Sequence, residues 1–183
     1  MALAKGPLTT AESLGLPFSG HLLVIPIAHT ALTTASETAE MEAYRTKLTA
    51  FFDARNCNIV TFEIRYAEGI HAHWQVIPIP KSKTLDEEFM RGFEEKKMTL
   101  EQREPGESEE YCRVILPSGN YIATLPVRFD LQLPRRILAK VLHLEDRMDW
   151  RSCIQPEEEE RADASAFRAA FESADQANVT PEL

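Results

Sequence analysis

Asn58-Ile59-Val60-Thr61-Phe62-Glu63-Ile64-Arg65-Tyr66, followed after Glu68-Gly69 by Ile70-His71-Ala72-His73-Trp74-Gln75-Val76-Ile77-Pro78, is the stretch that decides the fold. In the first run Ile59, Thr61, Glu63 and Arg65 alternate with Val60, Phe62, Ile64 and Tyr66, the period of a β-strand. In the second run His71, His73 and Gln75 share one face, and Ile70, Ala72, Trp74 and Val76 share the other. Two alternating runs across so short a turn are expected to pair as antiparallel neighbours. Two imidazoles and an amide on one rigid strand can do phosphate chemistry or hold a metal. The plainer reading of any single histidine on an apolar strand is a hydrogen-bonded core residue.

Working outward, Gly20-His21-Leu22-Leu23-Val24-Ile25-Pro26 reads as a strand buried on both faces, with Pro26 marking its end or a sheet edge. The segment before it, to Ser19, is punctuated by Gly, Pro, Ser and Thr and reads as irregular. Thr34 to Arg55 reads as a helix: Thr34 and Glu37 have capping-box spacing, and Met41, Tyr44, Leu48, Phe51 and Phe52 make an apolar stripe. Downstream, a helix is predicted near Asp86 to Lys97. Tyr111–Leu116 and Tyr121–Pro126 flank Pro117-Ser118-Gly119-Asn120 as a hairpin. Pro134 suits the first turn of a helix running to His143. Glu157 to Ser173, with Phe167 and Phe171 at i,i+4, reads as a closing helix. Hairpins with flanking helices, and no Gly-rich phosphate loop, define an α+β class with an antiparallel sheet. The expected organisation is two blocks, 1–100 and 101–183, the second a hairpin-plus-helix extension packed on the first.

The chain has 183 residues and a formal net charge of −9. That balance argues against indiscriminate nucleic-acid binding, which needs a basic surface, but leaves room for a local basic groove. No apolar run is long enough to suggest a membrane span. Cys57, Cys112 and Cys153 are odd in number and far apart, which suits free thiols in a reducing compartment.

The two histidine-bearing strands together resemble the histidine-triad superfamily, whose members carry a Gly-His-apolar-Pro-x-x-His strand and a later His-φ-His-φ-His strand. Here Gly20 to His29 matches the first, and His71, His73 and Gln75 match the second. The His-x-His-x-Gln variant is similar to the superfamily's nucleotidyltransferase branch. By that match His73 takes the nucleophile position, His71 ligates zinc or orients the site, and Gln75 donates to a phosphate oxygen. The opening Met1–Thr9, the helix segment Tyr44-Arg45-x-Lys47-Leu48-x-x-Phe51-Phe52, Gln75–Pro80, Phe129-Asp130-Leu131-Gln132 and Asp149-Trp150-Arg151-Ser152-Cys153 follow in an order that resembles the CwfJ-type C-terminal region. This likeness runs from Met1 to about Phe171. It implies a HIT-like sheet and a spliceosome-associated factor of intron-lariat turnover in the nucleus, contacting spliceosomal proteins, branched intron RNA and the lariat debranching enzyme. Family members carry a Cys-x-x-Cys element upstream of the point where this sequence begins. With His29 and His71 that pair would make a two-Cys, two-His zinc site in a longer protein; no cofactor is evident from this chain's own residues.

Two functions follow. The first is a non-enzymatic RNA-processing factor, with Arg65, Lys81 and Lys83 beside the histidines contacting RNA and Trp74 or Tyr66 available for stacking. The plainer reading of the three cations is surface solubility, and of Trp74 packing behind the site. The alternative is a nucleotide hydrolase or nucleotidyltransferase in which His73 attacks an α-phosphorus, with His71, His29 and Gln75 around it. A third possibility, a protein-docking surface, rests on Trp150 with Arg135-Arg136, residues that could equally complete the core.

Overall fold

The computed structural model describes residues 2–28, 33–66, 72–83, 85–106 and 109–177. In chain order the elements are β1 (Ala2–Leu3), α1 (Ala11–Leu14), β2 (Leu22–Val24), α2 (Ala35–Asp53), β3 (Cys57–Arg65), β4 (Trp74–Pro80), α3 (Asp86–Glu94), β5 (Tyr111–Leu116), β6 (Gly119–Thr124), α4 (Leu133–Leu142) and α5 (Glu157–Ala177). Two 3₁₀ turns, Glu145–Arg147 and Trp150–Cys153, link α4 to α5. The strands make one antiparallel sheet in the order β1-β2-β4-β3-β5-β6. The expected α+β class with an antiparallel sheet flanked by helices is what the chain forms.

Both sheet faces are covered. Strand alternation puts Val60, Phe62, Ile77, Cys112 and Val114 on one face, where α3 and α4 cover them with Phe89, Phe93, Leu133, Ile137 and Leu138. Leu22, Val24, Ile59, Trp74 and Val76 face the other way, onto Met41, Leu48, Phe51 and Phe52 of α2 and Phe167 of α5. Thr34 caps α2 as its spacing predicted: its hydroxyl accepts from Glu37 N–H, and the Glu37 carboxylate accepts from Thr34 N–H at 2.7 Å. Tyr44 is the one member of the expected α2 stripe that stays outside the core, at 40% exposure.

Three departures from the sequence reading bear on the site. The opening segment contains β1 and a short capped helix rather than irregular chain. With β1 beyond it, β2 is an inner strand rather than a sheet edge, and of the two readings of Pro26 the strand end is the one that holds. Pro78 and Pro80 sit inside β4, between two neighbours, where prolines are rare. This is tolerated because β2 pairs only with Trp74–Val76 and has turned away before it reaches the prolines. The turn is made at Gly20, whose φ of +66° favours glycine; an added Cβ there would lie 2.8 Å from Pro78 Cγ.

Candidate functional site

The pairing of β2 with β4 sets Leu23 opposite Gln75 on one face of the sheet; β4 begins at Trp74, later than its sequence pattern suggested, so His73 and His21 each lie just before their strands, and all four residues line one cavity. At this end of the face the covering helices stop short, leaving a cleft of about 300 Å³. His21, Leu23, His73 and Gln75 form its floor. Ala4, Lys5 and Gly6 make one wall; Leu131, Gln132, Arg135 and Trp150 make the other. A larger groove of about 410 Å³ lies between β1 and α5, but it contains none of the histidines.

The charge of the cleft inverts that of the chain. Among the described residues no Asp or Glu lines it, whereas Lys5 and Arg135 both do. The walls are fixed by a hydrogen-bond network that starts from two arginines. Arg135, itself buried, donates Nη1 to Gly6 O and Nε to Arg147 O, each at 2.9 Å, and Nη2 to Cys153 Sγ at 3.5 Å. Arg147 donates to Pro7 O at 2.8 Å and Leu8 O at 2.9 Å. The Trp150 backbone lies so close over Gly6 that an added Cβ would come within 2.1 Å of Trp150 O. Residues 6–8 are thus held between the histidine strand and the α4 region.

The same segment sets the state of His21. Leu8 N–H donates to His21 Nδ1 at 3.0 Å. With Nδ1 an acceptor, the neutral ring carries its proton on Nε2. Burial, and next the nearby Arg135 cation, pull the His21 pKa from 6.5 down to about 3, against a smaller opposing effect of the Gln75 side chain. His21 is therefore a neutral donor at physiological pH. Its Nε2 is fully buried, with the Gln75 side chain as its hydrogen-bonding neighbour in less than full geometry. Burial also pulls Arg135 below the ordinary arginine value, although a guanidinium stays charged in a protein.

Of the residues singled out from sequence, the structure brings His73 and Gln75 together on the cleft. His29 and His71 lie outside the described residues. Arg65 stands opposite the histidine end of β4 but on the other sheet face, 5.9 Å from the Tyr111 ring centroid. Lys81 and Lys83 follow the far end of β4, roughly 25 Å from His73 at about 3.3 Å per residue. Lys81 there pairs with Asp53 at 2.5 Å. Trp74 is packed behind the sheet at 1% exposure, and Tyr66 Oη donates to Val127 O at 2.5 Å. Lys5, Gln132 and Arg135 were not sequence candidates for this site, and Trp150 was read only as a docking residue. Nothing in their local patterns ties them to His73; the signal available was Gly20-His21, the partner strand.

Among the described residues no group of three or more His, Cys, Asp or Glu stands close enough to hold a metal ion. Cys57, Cys112 and Cys153 are buried free thiols, with Cys57 and Cys112 on opposite sheet faces. The described residues thus supply no zinc ligand set. No described helix is long and apolar enough to cross a membrane.

The profile described as "Protein similar to CwfJ C-terminal" matches residues 1–91, and "Protein similar to CwfJ C-terminus 2" matches residues 70–177. The chain belongs to the CwfJ C-terminal family. It is 45% identical to CWF19-like protein mug161 of Schizosaccharomyces pombe, over 96% of this chain and 34% of that protein. It is 31% identical to CWF19-like protein DRN1 of Saccharomyces cerevisiae, over 96% of this chain and 41% of that protein. Against human CWF19-like protein 1 the identity is 29%, over 96% of this chain and 34% of that protein. The chain therefore spans about a third of the length of the relatives it matches.

Proposed function

We propose that this chain is the phosphate-reading part of a nuclear, splicing-related factor that binds branched intron RNA, in company with spliceosomal proteins and the lariat debranching enzyme. The observation that carries the reading is the cleft: a pocket whose described lining holds no carboxylate, in an acidic protein, floored by His21, His73 and Gln75 and flanked by Lys5 and Arg135. Family membership supports the splicing context. Gln75 is a neutral donor suited to phosphate oxygens, held beside the enclosed His21 ring, with Lys5 and Arg135 supplying positive potential. The blocks 1–100 and 101–183 each build one side of this site. Arg65, Lys81 and Lys83 would serve RNA flanks outside it.

The non-enzymatic reading rests on Gln75. Where the superfamily has a third histidine, an amide cannot take up or release a proton, so it cannot act as general acid toward a leaving group. A second reading, covalent transfer through His73, draws on the place of His73 in the same cleft. In that reading any zinc belongs to a larger ligand set that includes His29 and His71, and the described residues act without it.

A salt titration of binding to a branched RNA and to its linear counterpart tests the proposal. Few cations line the cleft, so the branched RNA is expected to bind more tightly with a shallow slope of log affinity on log salt, about −0.7 per phosphate neutralised. Equal binding of the two RNAs would count against branch reading.

A further inference from the structure

We propose that the groove between β1 and α5 seats an extended peptide segment of a partner protein, which adds to the six-stranded sheet as one more strand beside β1. That segment carries apolar side chains at alternate positions and a lysine or arginine. The site is separate from the histidine cleft: Leu22 and Leu23 are adjacent on β2, and Leu22 lines the groove while Leu23 lines the cleft.

The two edges of the sheet are finished differently. Beyond β6, Glu101 bridges to Ile122: Glu101 N–H donates to Ile122 O at 2.9 Å, and Ile122 N–H donates to Glu101 O at 2.8 Å. Beyond β1, nothing among the described residues pairs. The register tells which groups are open there. Ala4 N–H donates to His21 O at 2.9 Å, and Leu3 lies opposite Leu22 in the same register. Bonded and non-bonded pairs alternate along an antiparallel ladder, so Ala2 and Ala4 turn their backbone groups toward β2, and Leu3 turns its N–H and C=O outward. An edge with an open donor and acceptor is a template for a further strand.

The side chains beside that edge make the seat apolar. The groove, about 410 Å³, is lined by Leu3, Leu22, Ala164, Phe167 and Phe171. Leu22 and Phe167 are core residues, whereas Leu3 and Phe171 are only partly buried. Leu3 shares with Leu22 the sheet face that α5 covers, so a strand added beside β1 sets alternate side chains over the groove. An edge strand flanked by a groove suits strand addition, in which main-chain bonds give affinity and the pockets select alternate side chains.

Charge defines the partner further. Glu160, Ala164, Arg168 and Glu172 form one i,i+4 row of α5 along the groove. The row is about 18 Å long at about 1.5 Å per residue, a length that about six residues of strand span. α5 carries seven carboxylates against two arginines. Asp163 is committed to Ser19, Asp175 to Lys47 and Glu157 to Arg161. Glu160 has no cation partner among the described residues, and Glu158 and Glu159 stand next to it. This end of the groove therefore suits a lysine or arginine on the incoming strand.

The test uses the 183-residue chain and a fluorescein-labelled peptide, Lys-Thr-Val-Thr-Val-Thr-Val-Thr, with binding followed by anisotropy. It is compared with a peptide that has Glu in place of Lys, and with two N-methylated forms, one methylated at the valines and one at the threonines. The expected result is saturable binding of the lysine peptide and about fivefold weaker binding of the glutamate peptide. One N-methylated form should lose at least about tenfold and the other little, because only alternate amides face β1. Exchange of the Leu3 amide should slow on binding. Ala164 is half-buried, so Ala164→Phe fills the groove without entering the core and should abolish binding. The peptide comparisons on the wild-type chain stand whether or not that variant folds. The proposal is overturned by no saturable binding at millimolar peptide, by equal binding of the two N-methylated forms, or by full binding to folded Ala164→Phe. A dimer of the chain in sedimentation that Ala164→Phe dissociates would also overturn it, since the groove would then belong to a second copy.

Discussion

His21 shows how much one backbone donor can determine. By filling Nδ1, Leu8 N–H fixes the tautomer, and burial keeps the ring neutral. Above pH 6.5 the ring is neutral both folded and unfolded, so the His21 contribution to stability is fully present. As the pH falls from 6.5 toward about 3, the unfolded chain takes up a proton that the folded chain refuses. Stability should then drop by up to about 1.4 kcal/mol per pH unit from this group. In His21→Gln, which keeps an acceptor for Leu8 N–H, that component disappears. Urea midpoints measured from pH 7.5 to 4 should diverge, with wild type losing stability faster; parallel curves would mean that His21 is protonated in the folded protein. Gln75 is the other residue to watch at this scale: its amide can hydrogen-bond a phosphate oxygen but does not titrate, so any proton transfer in the cleft would fall to another group.

At the scale of elements, the arginines of the α4 region do what the sequence could not announce. The sequence left Arg135-Arg136 open between a docking pair and residues that complete the core. Arg136 is exposed and faces Asp130 at 3.4 Å, but Arg135 is buried against Gly6 O and Arg147 O. Arg135→Met keeps the stem and removes the donors, stranding two carbonyls, and should cost roughly 2–5 kcal/mol in chemical denaturation. It should also loosen residues 6–8, so that amide exchange there rises before exchange in β3. A loss below about 0.5 kcal/mol would show that these bonds contribute little to the wall. What was legible in the sequence was local: the Thr34 cap, the alternation of β3, the hairpin after Tyr111 (its second strand starting at Gly119 rather than Tyr121), Pro134 at a helix start and the Phe167/Phe171 spacing. Each depends on residues within a few positions of one another. The inner place of β2 was not legible, because it depends on β1 pairing across some twenty residues. Nor were the cleft's walls, because residues 6–8 are joined to the α4 region through the long-range hydrogen bonds of Arg135 and Arg147.

For the whole molecule, the arrangement concentrates a small positive, donor-rich cavity within a chain of net charge −9. The acidic exterior, dense on α5 with Glu157–Glu160, discourages contact with an arbitrary polyanion, so under the proposed function RNA would gain only where it can enter the cleft. Both family profiles contribute residues to that cavity: His21, His73 and Gln75 lie within the first, and Gln132, Arg135 and Trp150 within the second. The claim that this cavity reads phosphate is tested most directly by placing one negative charge on its floor. Gln75→Glu is nearly isosteric and half-buried beside His21. Branched-RNA affinity of the wild type and of Gln75→Glu should be compared at one moderate salt concentration, with thermal midpoints checking the fold. The account predicts at least about a tenfold loss, about 1.4 kcal/mol, from carboxylate–phosphate repulsion in a partly desolvated site. Unchanged affinity in a folded Gln75→Glu protein would contradict it.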